Sequence, residues 1–220
     1  MEDEGADSAL LLEAPVELAA AELPAAVEIL AAAFRDNPLN VAVIGEPARR
    51  RLRANRAGNR ASLQSVHGVG LCLGAYVQIA NSEGRTRKLA GVLVAEPPGI
   101  HPLPPPAVST QLRVLWEQGW RVATGWSRVH FELQNLHPRN PHWVLDLLGV
   151  APEFQRQGVG SLLLATLLKR IDAEQASCFL ETDRRENVAF YRRASYTVLS
   201  EERCAGVPVW RMWREPRRRE

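Results

Sequence analysis

Gln155-Arg156-Gln157-Gly158-Val159-Gly160 is the stretch on which the reading of this chain turns. Before it, His142-Trp143-Val144-Leu145-Asp146-Leu147-Leu148-Gly149-Val150 has the length and apolar content of a buried strand. After it, over residues 161–174, Leu163, Leu164, Leu167, Leu168 and Ile171 recur at helical spacing, with Lys169, Arg170, Asp172 and Glu174 on the other side. The unit is therefore strand, glycine turn, helix. Glycines at 158 and 160 remove the Cβ atoms that would hold a ligand off the backbone, and the first N–H groups of a helix have no partner within it. Such a turn suits a phosphate.

Packing alone can also produce a two-glycine turn, so the surroundings must decide. A P-loop requires Gly-Lys-Ser/Thr, whereas Gly158 is followed by Val159, Gly160 and Ser161 with no lysine. A dinucleotide fingerprint fits better at first, because Gly158 and Gly160 match its first two glycines and Glu181 lies about twenty residues on, where a ribose-binding acid would sit. Its third glycine is Leu163, however, and the turn does not follow the strand at once. Too little chain remains after Gly160 for most of a doubly wound sheet.

Gln155-x-x-Gly158-x-Gly160, after a strand ending in Gly149-Val150-Ala151-Pro152, resembles the acyl-CoA-binding motif Q/R-x-x-G-x-G/A of the GNAT N-acetyltransferase superfamily. Leu180-Glu181-Thr182-Asp183 and Asn187-Val188-Ala189-Phe190-Tyr191 resemble that family's next strand and helix. The resemblance is closest over residues 142–214. It implies a mixed α/β fold with a central, mostly antiparallel twisted sheet, splayed at the cofactor-binding strand, and helices on both faces.

With 220 residues, 46% of them hydrophobic, the chain suits one generous domain. The expected division is a poorly ordered tail over residues 1–13, a domain over 14–214 with a variable helical insertion at 97–140 and a cofactor-binding core at 142–214, and a basic tail at 215–220. A net charge of +2, from 27 basic and 25 acidic residues, gives no global pull toward nucleic acid. Cys72, Cys178 and Cys204 are widely spaced in apolar runs and read as buried thiols rather than as disulfides or a metal site. The alanine-rich stretch over 19–33 is broken by Glu22 and Glu28 and follows acidic residues, unlike a signal peptide or a membrane span. A soluble cytoplasmic protein is the expectation.

Along the chain, residues 16–18 read as a short strand. A first helix over 22–34 carries Pro24 in its first turn, and Asp36-Asn37-Pro38 ends it. A second helix over 47–66 has an arginine-rich exterior that reads as a solvated face. Residues 71–80 and 88–96 read as a hairpin with a polar loop over 81–87. Prolines at 102 and 104–106 break regular structure before a helical pattern over 107–136, divided at Gly119 and Gly125. The aromatics of that segment, Trp116, Trp120, Trp126 and Phe131, read as core. This segment and residues 34–40 are the places expected to shape an acceptor pocket.

The resemblance assigns the chemistry. A cofactor pyrophosphate is expected on backbone N–H groups of Arg156, Gln157, Gly158, Val159, Gly160 and Ser161. The pantetheine arm would pair with backbone at Leu148, Gly149 and Val150, with a bulge at Gly149 and the Val150 N–H as oxyanion donor. Asn187 is the implied CoA contact and Tyr191, four residues on, the implied acid for the departing thiolate. Ser195 stands where the family's helix is usually followed by glycine. For the base, Asp146 is read as sharing the strand face of Val144 and Leu148, with a hydrogen-bonded structural Asp near the sheet edge as the competing reading; His142 and a water chain stay open beside it. The implied donor is acetyl-CoA. The expected partner is a small-molecule amine, with protein acceptors open, no nucleic acid, no membrane, and a homodimer as an assembly to test. A non-catalytic acyl-CoA-binding module and a nucleotide-binding protein are the rival classes.

Overall fold

The computed structural model of the protein describes residues 10–81, 84–100, 103, 106–134 and 137–217. The expected tail up to residue 9, loop residues Ser82 and Glu83, Pro102, Pro104, Pro105, Leu136 and the last three residues of the basic end lie outside them. The first half contains β1 (Leu11–Leu12), β2 (Val16–Glu17), α1 (Leu23–Ala33), α2 (Pro38–Ile44), α3 (Ala48–Val66), β3 (Leu71–Asn81) and β4 (Gly84–Glu96). Then come α4 (Val108–Gln118), α5 (Trp120–Gln134), β5 (Trp143–Val150), α6 (Val159–Ala173), β6 (Cys178–Thr182), α7 (Arg185–Arg193), β7 (Thr197–Cys204) and β8 (Val207–Arg214).

The strands form one mixed sheet in the order β1-β3-β4-β5-β6-β8-β7, with β2 also pairing β3. Only the β5–β6 contact is parallel; the other pairings are antiparallel. Apolar β4 and β5 lie at its centre because both of their faces are covered. On one face Leu93, Ala95, Leu145 and Leu180 pack with Leu163, Leu164, Leu167 and Ile171 of α6. On the other, Val92 and Val94 pack with Val27 and Leu30 of α1 and Leu63 and Val66 of α3. The mixed α/β fold with helices on both faces is thus the one expected. Among the described residues, no helix is long and apolar enough to cross a membrane.

Several boundaries differ from the sequence reading for local reasons. Leu11 and Leu12 are not tail: they pair with Gln78 and Val77, and Leu10 and Leu12 pack on the main core. Pro38 does not only end a helix. It occupies the first turn of α2, after an extended Asn37, where a missing N–H costs nothing. Gly119, at φ +83°, separates α4 from α5, but Gly125 continues α5. A Cβ there would come within 2.9 Å of Val43, so this glycine marks a close helix contact rather than a break. Trp116, Trp120 and Phe131 are exposed rather than core, whereas Trp126 is partly buried.

Gly149 is not the bulge. It pairs regularly with Val92, and a Cβ would meet Leu30 of α1 at 2.8 Å; close helix packing explains this glycine. The register instead slips between Val94–Leu147 and Ala95–Leu145, which leaves Asp146 as the extra residue of β5. The slip changes the phase of the strand. Leu145 and Leu148 both pack with the α6-side core, while Leu147 packs on the α1 side. Asp146 accepts a hydrogen bond from Ser62 of α3 at 3.0 Å, so it does not share the face of Leu148.

Candidate active site

The glycine turn is built by backbone conformation. Arg156 (φ 62°) and Gly158 (φ 87°) are both left-handed, and Gly158 is the N-cap of α6. Two side chains brace the loop from within: Gln155 Nε2 donates to the Val150 carbonyl at 3.1 Å and Gln157 Nε2 to the Glu153 carbonyl at 3.0 Å. No side chain caps α6 and its first turn has no acidic residue, so the helix supplies no anion of its own to its positive end. At Gly160 a Cβ would make only ordinary contacts, with Val150 at 3.5 Å and Phe190 at 4.0 Å. Neither a left-handed backbone nor crowding by protein requires that glycine. The turn therefore fits a pyrophosphate on the backbone of 156–161.

The second component is a parting of strands. β5 pairs with β6 only through Trp143, Val144 and Leu145, matched to Cys178, Phe179 and Leu180. From Asp146 onward β5 keeps its pairing with β4 as far as Val150, while β6 continues with β8 to Thr182. The expected splay is present. Because successive strand residues point their backbone groups to opposite neighbours, the bond from Ala151 N–H to Ala90 O (2.8 Å) leaves the Val150 N–H directed toward the gap.

A cavity of about 970 Å³ occupies this opening and draws its walls from both faces of the sheet. Leu148, Asn187 and Tyr191 line it together with Asp146, as do Phe34, Leu39 and Trp126 from the two segments expected to shape an acceptor pocket. Gly149, Val150 and residues 155–161 are outside this cavity lining. Asn187 Nδ2 donates to Thr182 Oγ1 at 3.2 Å, which ties α7 to the end of β6 and leaves the amide oxygen as an acceptor.

Tyr191 is 7% exposed, with its ring edge-on to Phe190 and Tyr196. Its phenol is pushed well above the usual range, first by burial and then by Cys178, and so stays protonated at neutral pH. Burial lifts a thiol here too: Cys178 rises to about 12. A thiolate released beside Tyr191 would likewise be a stronger base than in water, which keeps the phenol a competent donor.

Sequence reasoning missed further carboxylates on the cavity wall: Glu96 at the end of β4, Glu181, and Asp183 just past β6. The available signal was a charged residue ending each of two buried strands. Asp183 accepts the Leu39 N–H at 2.8 Å, and desolvation raises its pKa. His142 does not join the site. It packs against Phe179 and Trp213 at the paired end of β5, and its Nδ1 lies 2.5 Å from the Asn140 carbonyl oxygen. Ser195 takes the left-handed conformation (φ 69°) that a glycine would, and the Tyr196 N–H closes the helix on the Tyr191 carbonyl at 3.1 Å.

Residues 110–196 match the model of the acetyltransferase (GNAT) family, a span that begins in α4 and takes in the glycine turn and α7. Among solved structures, one described as histone acetyltransferase HPA2 and related acetyltransferase from Corynebacterium glutamicum is similar over 93% of this chain and 97% of its own, with TM-score 0.67 and 21% identity. Polyamine N-acetyltransferase of Drosophila melanogaster, which forms N-acetylagmatine, is similar over 94% and 99%, with TM-score 0.58 and 16% identity. The ribosomal-protein-S18-alanine N-acetyltransferase of Escherichia coli covers 96% and 97%, with TM-score 0.53 and 13% identity. Identities this low speak to the fold alone. Over residues 110–196 the chain thus matches the acetyltransferase (GNAT) family, and the fold around that match is similar to that of solved GNAT acetyltransferases.

Proposed function

We propose that the protein moves an acetyl group from acetyl-CoA to a primary amine of a small molecule, by direct attack of the amine in a ternary complex. The observation that carries this reading is the parting of β5 from β6 beyond Leu145, which gives Leu148, Asn187 and Tyr191 one shared cavity. When bound, acetyl-CoA supplies an acyl group activated as a thioester. Backbone N–H groups of Arg156, Gln157, Gly158, Val159, Gly160 and Ser161 hold the pyrophosphate, with Gln155 bracing the turn. Leu148, Gly149 and Val150 offer backbone along the gap, and the Val150 N–H faces the charge that builds on the acyl oxygen. Asn187 contributes its amide oxygen, Tyr191 gives a proton to the departing sulfur, and Asp146 takes one from the attacking ammonium.

Calorimetric titration with acetyl-CoA, NAD and ATP, followed by thiol-release assays on a panel of amines, tests the proposal. Preferential binding of acetyl-CoA and amine-dependent thiol release are expected. Binding of NAD without acetyl-CoA would overturn it. Acetyl-CoA binding with no thiol release from any small-molecule or peptide amine would make the protein a binding module instead.

A further inference from the structure

We infer that the acceptor is a small polycationic amine, carrying at least one ammonium group besides the one that is acetylated. This rests on the acetyltransferase reading and concerns the far side of the same cavity. At about 970 Å³ the space exceeds the needs of an acetyl group and one amine, and it reaches from Tyr191 and Leu148 to α3, α4 and α5. Tyr191, 7% exposed, lines it, and among the described residues no group hydrogen-bonds its hydroxyl. A buried hydroxyl facing open space marks a place for a ligand.

The charge of the walls defines that ligand. Glu96, Asp146, Glu181 and Asp183 all line the cavity, whereas among the described residues no Lys or Arg does, in a chain with 27 of them. Arg211 Nε stands 3.7 Å from Glu181, and the charge of Arg184 reaches Asp183, both from outside the lining; the charged residues of the wall itself are acidic, opposite in sign to the whole chain. Three neutral side chains of the wall add acceptors, against one buried donor without a partner among the described residues, Asn59 Nδ2. Asn40 Nδ2 donates to Phe34 O (2.8 Å), Asn55 Nδ2 to Ala31 O (3.4 Å) and Gln118 Nε2 to Ala54 O (2.8 Å). One N–H of each amide is thereby committed to a backbone carbonyl, and the amide oxygen of each of these lining residues remains as an acceptor. Burial of Asp183 lifts its pKa despite bonds from Leu39 and Asn37 and the nearby charge of Arg184, so desolvation outweighs them. Carboxylates and carbonyl oxygens suit ammonium groups, which only donate.

The test compares butylamine, 1,4-diaminobutane and bis(3-aminopropyl)amine, with β-alanine as an amine bearing an anion. Thiol release gives kcat/KM, and calorimetry gives binding without any reaction. Each added ammonium group is expected to raise kcat/KM by about tenfold at low salt, with the gain shrinking as ionic strength rises. Asp183→Asn and Glu96→Gln should flatten the series, with Asp183→Asn supplying the reading if the buried Glu96 variant fails a thermal-melting check. Butylamine or β-alanine used as well as the triamine would overturn the inference, as would an unchanged series in a folded Asp183→Asn protein. Calorimetric binding of the triamine without thiol release from any amine would place the failure in the transfer reaction and not in the charge preference of the cavity.

Discussion

The two ends of β5 are built by the same rules and do opposite things. At its start, where β6 is still paired, Trp143, Cys178, Phe179 and Met212 are almost wholly buried. Arg214, 1% exposed, meets Asp172 in two 2.8 Å bonds and also donates to the Ala194 carbonyl; Trp143 Nε1 donates to Glu174 at 2.8 Å. At its far end, past the Asp146 bulge, the strands part and polar groups face a cavity. If a cofactor enters between the strands, as proposed, the sheet must be supported elsewhere. The closed end supplies the rigidity against which the open end stays open.

The comparison breaks most visibly at Tyr191. Tyr191→Phe keeps the ring contacts with Phe190 and Tyr196 and deletes only the hydroxyl, for which the described residues offer no hydrogen-bond partner. Stability and cofactor Kd should hardly change, while kcat falls by about 10²–10⁴-fold, the usual worth of general acid catalysis. Steady-state kinetics beside calorimetry checks this; full activity would assign the proton to another group.

The same kind of change at the closed end should act on stability instead. Asp172→Ala leaves Arg214 charged and buried, at an expected cost of about 3 kcal/mol in urea unfolding. The Arg214 guanidinium holds the Asp172 carboxyl below its ordinary range. A depressed carboxylate pKa contributes stability that is fully present above the unfolded-state value, about 4, and is lost as pH falls through the folded one. The acid limb of the stability profile should therefore be shallower in Asp172→Asn than in the parent protein.

Gly160 sharpens the division further, since a single substitution there should move binding and stability in opposite directions. An aspartate in the first turn of α6 favours the positive helix end, and its Cβ has room. It also places a negative charge where the pyrophosphate would lie. Gly160→Asp should melt at the same temperature or higher and bind CoA about tenfold more weakly or worse. Unchanged affinity would make the turn purely structural.

How much of this was legible before the fold was known follows the physics of each signal. The strand, turn and helix over 143–173 could be read because apolar period, glycine chemistry and length agree there. Leu148, Asn187 and Tyr191 came from the family resemblance that this unit carries, and the structure brings them to one cavity. The bulge could not be read, because slippage between Val94 and Leu147 depends on the partner strand and leaves no mark in the apolar run of β5. Gly149 and Gly125 misled for one reason: a glycine needed for close helix packing looks, in sequence, like one needed for backbone freedom. Glu96 and Asp183 carried only the mark of a charge at the end of a buried strand, and the pairing of strands distant in sequence is what brings them to the cavity.

Ser195 offers the smallest and most discriminating change. It ends α7 in the left-handed region at φ 69°, a conformation that costs a non-glycine residue roughly 1 kcal/mol or more, and it is exposed, so side-chain packing does not compensate. Ser195→Gly relieves that strain but gives the unfolded chain more freedom, worth about 0.5–1 kcal/mol the other way. The expected net gain is at most about 1 kcal/mol, a rise in Tm of roughly 2–4 °C for a chain of this size. The informative reading is kinetic. The Ser195 turn closes on the Tyr191 carbonyl through the Tyr196 N–H, so it fixes the end of the helix that carries the proposed acid. If the open end owes its geometry to the closed end, the relaxed turn raises Tm and leaves kcat/KM unchanged. If kcat falls as Tm rises, the strain at Ser195 is what holds Tyr191 in the cavity, and the rigidity of the site is local rather than borrowed from the sheet.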